Sequence, residues 1–277
     1  MLDNFLIDKH VLAALEEDIG FGDITTDNIA KEGDVLTAKL NTRTDGILCG
    51  ARVFERVFKL LSGKVSVEFY YKDGDKIKSG DTIAKISGPA DAVLKGERTA
   101  LNYVQRMSGI ATETRKYQDA IGNNKARISD TRKTTPNFRV FEKYSVFVGG
   151  ACIHRFNLAD CAMIKDNHIK LAGSITNAVN AIKAKISHTH KIEVECDTLE
   201  QVKEAVECGA DIIMLDNMSC EIMKQAVEII NGSAVIEASG NVNLSTVADI
   251  AKTGVDIISS SSIVAKAPTL DLALDID

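Results

Sequence analysis

Residues 128–156, "ISDTRKTTPNFRVFEKYSVFVGGACIHRF", bring together Arg132, Lys133, Arg139, Lys143, His154 and Arg155, although the chain as a whole is acidic. Guanidinium forks grip carboxylate or phosphate oxygens two at a time, whereas lysine supplies a compact charge. Lys165 extends the set, because it directly follows the apolar run "AMI" and is therefore expected to point inward. A ligand with several negative charges suits these cations. Glu195 and Asp216 close two further apolar runs, and such a carboxylate pair serves acid–base work, ribose hydroxyl contacts or Mg²⁺ coordination equally well. "ASGNVN", with Ser239, Gly240 and Asn241, and "SSSS", with Ser260 and Ser261, offer small residues and amides of the kind that hold a phosphate.

The elements that must position these residues fall into two grammars. From about residue 34 to 90, short alternating runs such as "VLTAKLNTR" and "VSVEFYY" are broken by glycine turns and by one helical stretch, "ARVFERVFKLLSG". That is an antiparallel α+β pattern. A long helical segment follows, roughly from Ala92 to Ala120, and beyond residue 125 apolar runs alternate with amphipathic helices: "ARIS", "CAMI", "KIEV", "DIIML", "AVIEA" and "DIIS" are the strands. Repeated β-then-α units imply a parallel sheet, because parallel strands need crossover connections. Each run delivers polar groups at its carboxyl end: Asp130, Arg132 and Lys133, then Lys165, Glu195, Asp216, Ser239 and the serines from Ser259. In a barrel those ends surround one mouth, whereas an open sheet spreads them along an edge. The expected architecture is an incomplete, TIM-like (β/α) barrel of about seven strands over residues 116–277, preceded by an α+β sandwich domain over residues 1–115.

Bulk properties narrow the function classes. At 277 residues with a formal net charge of −6, and without a long basic run, the chain is not expected to bind nucleic acid. No apolar run reaches the length of a membrane helix and no signal-peptide pattern opens the chain, so a cytoplasmic location is expected. Six cysteines without a C-x-x-C pair read as reduced, mostly buried thiols, and "SHTH" (187–190) reads as a surface loop. Neither a P-loop nor a dinucleotide fingerprint is present.

"EEDIGFGDITTD", "GERTALNYVQRMSGIAT", "DTRKTTP", "EKYSVFVGG", "HRFNLADCAMIKDNHI", "KIEVECDTLEQ", "DIIMLDNMS", "EASGNVN" and "APTLDLAL" occur in this order. Together they resemble the quinolinate phosphoribosyltransferases, the decarboxylating nicotinate-nucleotide pyrophosphorylases of NAD biosynthesis, over nearly the whole length. The resemblance implies a type II phosphoribosyltransferase that joins quinolinate to phosphoribosyl pyrophosphate with loss of diphosphate and CO₂. It implies a homodimer in which Arg98 of "GERT" reaches into the partner's site, with further association in some relatives. Arg132, Lys133, His154, Arg155 and Lys165 would surround the dicarboxylate and the diphosphate. Glu195 and Asp216 would lie near the ribose and Mg²⁺, and Lys133, Glu195 and Asp216 would carry the chemistry. Departures from the family's usual pattern, "IHR" in place of N-H-R, "SGN" in place of S-G-G and "SSSSIVAK" near the end, gather on the 5′-phosphate side. Two other readings share these residues: a ModD-like paralogue acting on another azaheterocycle, and a non-catalytic sensor of a phosphorylated ligand.

Overall fold

The computed structural model describes residues 2–276. The chain forms two compact units, one made of residues 1–115, 137–150 and 267–277, the other of 116–136 and 151–266. Residues 137–150 and 267–277 belong to the first unit, instead of staying with the barrel as the sequence reading had them. The reason is local pairing and packing: the last strand hydrogen-bonds to the first, and Phe138 and Phe141 stack with Tyr103 at ring-centroid separations of 5.4 and 5.2 Å.

In the first unit, helices α1 (Asn4–Ile19), α2 (Thr26–Ile29), α3 (Ala51–Leu61) and the start of α4 (Ala90–Ile121) accompany strands β1 (Val35–Thr42), β2 (Gly46–Ile47), β3 (Ser66–Phe69), β4 (Lys76–Ile77) and β5 (Thr82–Pro89). β1 alternates its burial, turning Ala38, Leu40 and Thr42 inward, as a half-buried strand must. α3 presents Val53, Phe54, Val57 and Phe58 at helical spacing to the same core, which Ile7, Val11 and Leu15 of α1 and Met107 of α4 complete. With the C-terminal strand counted, the sheet order is antiparallel β12-β1-β5-β3, where β12 is Leu272–Ile276. This is the expected α+β sandwich. Where α4 meets the chain near Pro268 there is no room for a side chain, because a Cβ on Gly109 would stand 1.9 Å from the Pro268 carbonyl oxygen. Arg106 of α4 donates to the Ala267 carbonyl at 2.8 Å and to the fully buried Glu142 at 2.9 Å.

The second unit holds β6 (Arg127–Ser129), β7 (Ala162–Ile164), β8 (Ile192–Cys196), β9 (Ile212–Asp216), β10 (Val235–Ser239) and β11 (Ile257–Ser259). Helices α6 (Asp166–Ala172), α7 (Ile175–Lys183), α8 (Leu199–Glu207), α9 (Cys220–Ile230) and α10 (Val247–Ala251) connect β7 to β11 in turn and α11 (Ser262–Ala265) follows β11, while α5 (Arg139–Val148) belongs to the first unit. All pairings are parallel, in the order β6-β11-β10-β9-β8-β7. The expected count of about seven strands is corrected to six plus one bridge, since only Cys152 pairs beside Ser129. Glycines and the bulky "HRF" turn surround that residue, so the run there is too short to extend a ladder. Among the described residues, β7 and the Cys152 bridge are the two edges at which the barrel stays open.

Several quoted motifs turn out to be joints. In "KIEVECDTLEQ", the Thr198 side chain accepts from the Gln201 amide while Gln201 accepts from the Thr198 amide, a reciprocal cap that starts α8 (Leu199–Glu207). In "IKDNH", His168 Nδ1 accepts from the Lys165 amide at 3.0 Å, which turns the chain from β7 into α6 immediately after Lys165. "SHTH" lies exposed, as expected. Of the six free cysteines only Cys49 and Cys196 are fully buried, so "mostly buried" is corrected to two of six.

Candidate active site

The residue pairs that face the barrel interior are two apart in sequence, as the strand period demands: Met163 and Lys165, Glu193 and Glu195, Met214 and Asp216, Glu237 and Ser239. The later member of each pair reaches the mouth. There a cavity of about 360 Å³ is lined by Thr131, Arg132, Lys133, His154, Arg155, Met163, Lys165, Glu195, Met214, Asp216, Ser239 and Ser259. Strands β7 to β11 each contribute a side chain and β6 contributes through the loop that follows it, so the strand ends surround one cavity.

Of the residues singled out from the sequence, Arg132, Lys133, His154, Arg155, Lys165, Glu195, Asp216 and Ser239 therefore share one cavity. Gly240, Asn241, Ser260 and Ser261 do not line it. Ser260 is buried and donates to the Val242 carbonyl at 3.2 Å, so its hydroxyl is already engaged. Arg98 lies in the first unit, in a different concavity of about 360 Å³ with Arg43, Gln105 and Asp271. Arg139 and Lys143 sit on α5 in the first unit, Lys143 fully buried, so only four of the cations in the 128–156 segment reach the mouth.

Four permanent cations face two carboxylates in this cavity, which makes the mouth positive within an acidic protein. Lys165 Nζ forms an ion pair with Glu195 Oε2, joining β7 to β8 across the opening. The neighbouring loop is set by Asp130, fully buried at the end of β6, whose carboxylate accepts from the His154 amide at 2.7 Å. Thus the aspartate of "DTRKTTP" fixes the "HR" segment, and Arg155 is fixed in turn by donating to the Cys161 carbonyl at 2.9 Å.

Beneath the mouth is a feature that sequence reasoning missed. His154 Nδ1 accepts from the Arg155 amide at 2.7 Å, which turns Nε2 toward Glu193 Oε1 at 3.5 Å and Glu237 Oε1 at 3.4 Å. Both glutamates are buried, and neither oxygen of Glu193 has a hydrogen-bond partner, so these are charge contacts rather than aligned hydrogen bonds. Burial alone would lower the His154 pKa, but the two carboxylates outweigh it and raise it to about 10; burial also raises Glu193. Because Nδ1 is an acceptor, the extra proton belongs to the cluster and not to the imidazole alone. Ligand atoms of the three residues lie within 4.8 Å of one another, a spacing that a divalent ion could bridge. The retained proton and the nearby Arg155 charge already offset the two carboxylates. The strand period was the available signal, since Glu193 and Glu237 sit two residues before Glu195 and Ser239. The first residues of the strands, with His154 and Arg155, line a further cavity of about 390 Å³ on the far side of this cluster.

An open parallel barrel whose strand ends gather cations around two carboxylates defines a class: an α/β protein built to bind a polyanion and to do chemistry at its mouth. Comparison with known sequences makes this specific. The quinolinate phosphoribosyl transferase C-terminal domain matches residues 110–275 and the N-terminal domain of the same family matches residues 23–108. The chain belongs to the quinolinate phosphoribosyltransferase family. A probable nicotinate-nucleotide pyrophosphorylase [carboxylating] of Synechocystis sp. is 42% identical over 98% of this chain and 92% of its own length. A Bacillus subtilis protein of the same description is 40% identical over 94% and 90%. The crystal structure of NadC from Streptococcus pyogenes superposes with a TM-score of 0.97 at 41% identity, covering 100% of this chain and 98% of that one.

Proposed function

We propose that this chain converts quinolinate and phosphoribosyl pyrophosphate to nicotinate mononucleotide, diphosphate and CO₂, the step that delivers a pyridine ring into NAD biosynthesis. The single observation that carries this reading is the mouth, where Arg132, Lys133, Arg155 and Lys165 share one cavity with Glu195 and Asp216. A pyridine dicarboxylate and a sugar diphosphate together bring more negative charge than any neutral heterocycle would, and the cavity is positive enough to receive both. In this reading Arg132, Arg155 and Lys165 clamp the ring carboxylates and hold the ring nitrogen toward C1 of the ribose.

The ring nitrogen forms a bond to C1 as the C1–oxygen bond to diphosphate breaks, so positive charge develops on the sugar and negative charge on the leaving group. Lysine and arginine side chains fixed in advance around the leaving group lower that barrier, since they need no reorganisation during the reaction. Breaking of the bond between the ring and its 2-carboxylate then releases CO₂ and leaves an electron pair beside the pyridinium nitrogen, which takes up a proton. Lys133 or a water it holds supplies that proton. Glu195 and Asp216, oxygen donors on adjacent strands facing one cavity, suit a hard divalent ion such as Mg²⁺ and would hold it beside the ribose diphosphate. Mg²⁺ there would offset charge on the departing diphosphate. Lys165 pairs with Glu195 in the free protein, which keeps that carboxylate turned inward.

The enzyme is further proposed to work as a cytoplasmic homodimer, with Arg98 of each subunit completing the other's site; no helix among the described residues is long and apolar enough to cross a membrane. The assay is direct. Purified protein with quinolinate, phosphoribosyl pyrophosphate and Mg²⁺ should release CO₂ in step with nicotinate mononucleotide. Turnover of nicotinate or another azaheterocycle without CO₂ would point to a paralogous transferase, and binding without turnover to a sensor.

A further inference from the structure

Asp216 is the last residue of β9, and the loop that follows it is built around one side chain. Asn217 takes the left-handed backbone conformation, φ 55°, and donates from Nδ2 to Asp216 Oδ2 at 2.7 Å. A carboxylate can only accept, so Asn217 must turn its NH₂ toward Asp216 and its carbonyl away. That carbonyl is taken: Asn241 Nδ2 donates to Asn217 Oδ1 at 3.0 Å. The polarity of the relay Asn241 to Asn217 to Asp216 is therefore set by the carboxylate at its end.

The backbone of two successive strand ends is shaped to allow it. The Asn217 amide donates to the Ser239 carbonyl at 3.0 Å, tying the end of β9 to the end of β10. Gly240 follows with φ 85°, and a Cβ there would stand 2.2 Å from Asn217 Oδ1 and 2.8 Å from the Asn217 amide nitrogen. Only glycine leaves space for the Asn217 side chain to pass. Asn241 is again left-handed, φ 52°, and its carbonyl accepts from Thr246 Oγ1 at 3.3 Å and Asn243 Nδ2 at 3.2 Å, which pins the residue from its other side. Asparagine is among the few side chains that adopt this conformation at low cost, and here two of them are used in facing loops. Neither lines the cavity at the mouth.

We propose that Asn217, steadied by Asn241, is a positioning residue that holds the Asp216 carboxylate in one orientation at the mouth. The inference rests on the reading of Asp216 as a working carboxylate of the phosphoribosyl site. A fixed carboxylate presents the same oxygen to each incoming metal–diphosphate substrate, whereas a free one rotates between conformers and loses part of its binding free energy to ordering. "SGN" in this chain is thus a working substitution: the asparagine keeps the left-handed turn and adds the donor that the relay needs.

Two variants of the relay, with Asp216→Asn as a control, test it by kinetics and by side-chain amide resonances. Asn241→Gly retains a residue at ease with φ 52° and removes the donor; Asn217→Ala removes the relay itself. Each should raise the Mg²⁺ concentration for half-maximal activity and the KM for phosphoribosyl pyrophosphate about three- to tenfold, as befits one partly exposed hydrogen bond to a charged group. The KM for quinolinate should stay unchanged in both, and the melting temperature in Asn241→Gly; Asn217→Ala, with alanine at φ 55°, should melt somewhat lower. Independently of activity, the side-chain amide resonances of Asn217 should shift in Asn241→Gly. Unmoved resonances would overturn the relay, and an unchanged Mg²⁺ response in both variants, where Asp216→Asn itself impairs that response, would overturn its positioning role. Asp216→Asn separates this from the underlying reading: if that change leaves the Mg²⁺ response intact while the Asn217 resonances still move in Asn241→Gly, Asp216 is not a metal ligand and the relay stands as a hydrogen-bond network alone.

Discussion

At the scale of single residues, the energetics concentrate in two charge groups stacked along the barrel axis. Glu195 and Asp216 face the mouth with the cations; Glu193 and Glu237 lie one layer below with His154. In the proposed reaction the upper pair acts on substrate, so Glu195→Gln or Asp216→Asn should lower kcat/KM for phosphoribosyl pyrophosphate by roughly a hundredfold or more, on the scale of losing one preorganised electrostatic contact. Steady-state kinetics at saturating Mg²⁺ would show it. The lower group acts on stability. The proton shared among His154, Glu193 and Glu237 is held with the His154 pKa raised to about 10, above the ordinary imidazole value, so the cluster's contribution is complete at pH below about 6.5 and is lost as pH rises through about 10. The melting temperature of the wild type should therefore fall between neutral pH and about pH 10. His154→Asn should melt lower at neutral pH and lose less over the same range, and parallel curves for the two proteins would exclude the linkage.

At the scale of elements, what could be read from the sequence and what could not divide along physical lines. All six barrel strands were legible because each is a short apolar run that ends on a polar group, and the structure places each within two residues of its apolar run. The helices between them were legible from their apolar stripes. β12 was not, because its stability comes from pairing with β1 more than two hundred residues earlier, a contact that leaves no local pattern. The same holds for α5, whose buried Phe141 and Lys143 look from the sequence like part of the barrel loop. Asp130 and His168 were visible as members of motifs, yet their roles as hydrogen-bond joints appear only when the backbone is folded. Gly109 belongs to the same category, since nothing in "RMSGIAT" announces that a carbonyl oxygen lies against it. Gly109→Ala should cost about 3 kcal/mol or more, as overpacking against backbone cannot relax by a rotamer change. Denaturant unfolding would measure this, and a cost under about 1 kcal/mol would mean that α4 or the Pro268 segment can shift.

At the scale of the whole molecule, the acidic surface and the basic mouth divide the labour between solubility and substrate capture. Arg98 lines a concavity of the first unit with Arg43, Gln105 and Asp271, and its proposed role in a second subunit's site is open to a direct test. Co-expressed Arg98→Ala and Lys165→Ala chains should recover about a quarter of wild-type activity, the share of intact sites when two single mutants assort at random into dimers. Neither variant alone should approach that value, and failure to recover activity would confine each site to one chain. The central claim is that a single barrel mouth holds both substrates at once. The measurement that bears on it most directly is a crystal structure with phthalate, an unreactive dicarboxylate in place of quinolinate, together with phosphoribosyl pyrophosphate and Mg²⁺. The dicarboxylate should lie among Arg132, Arg155 and Lys165, with the metal at Glu195 and Asp216; either ligand seated outside this cavity would contradict the claim.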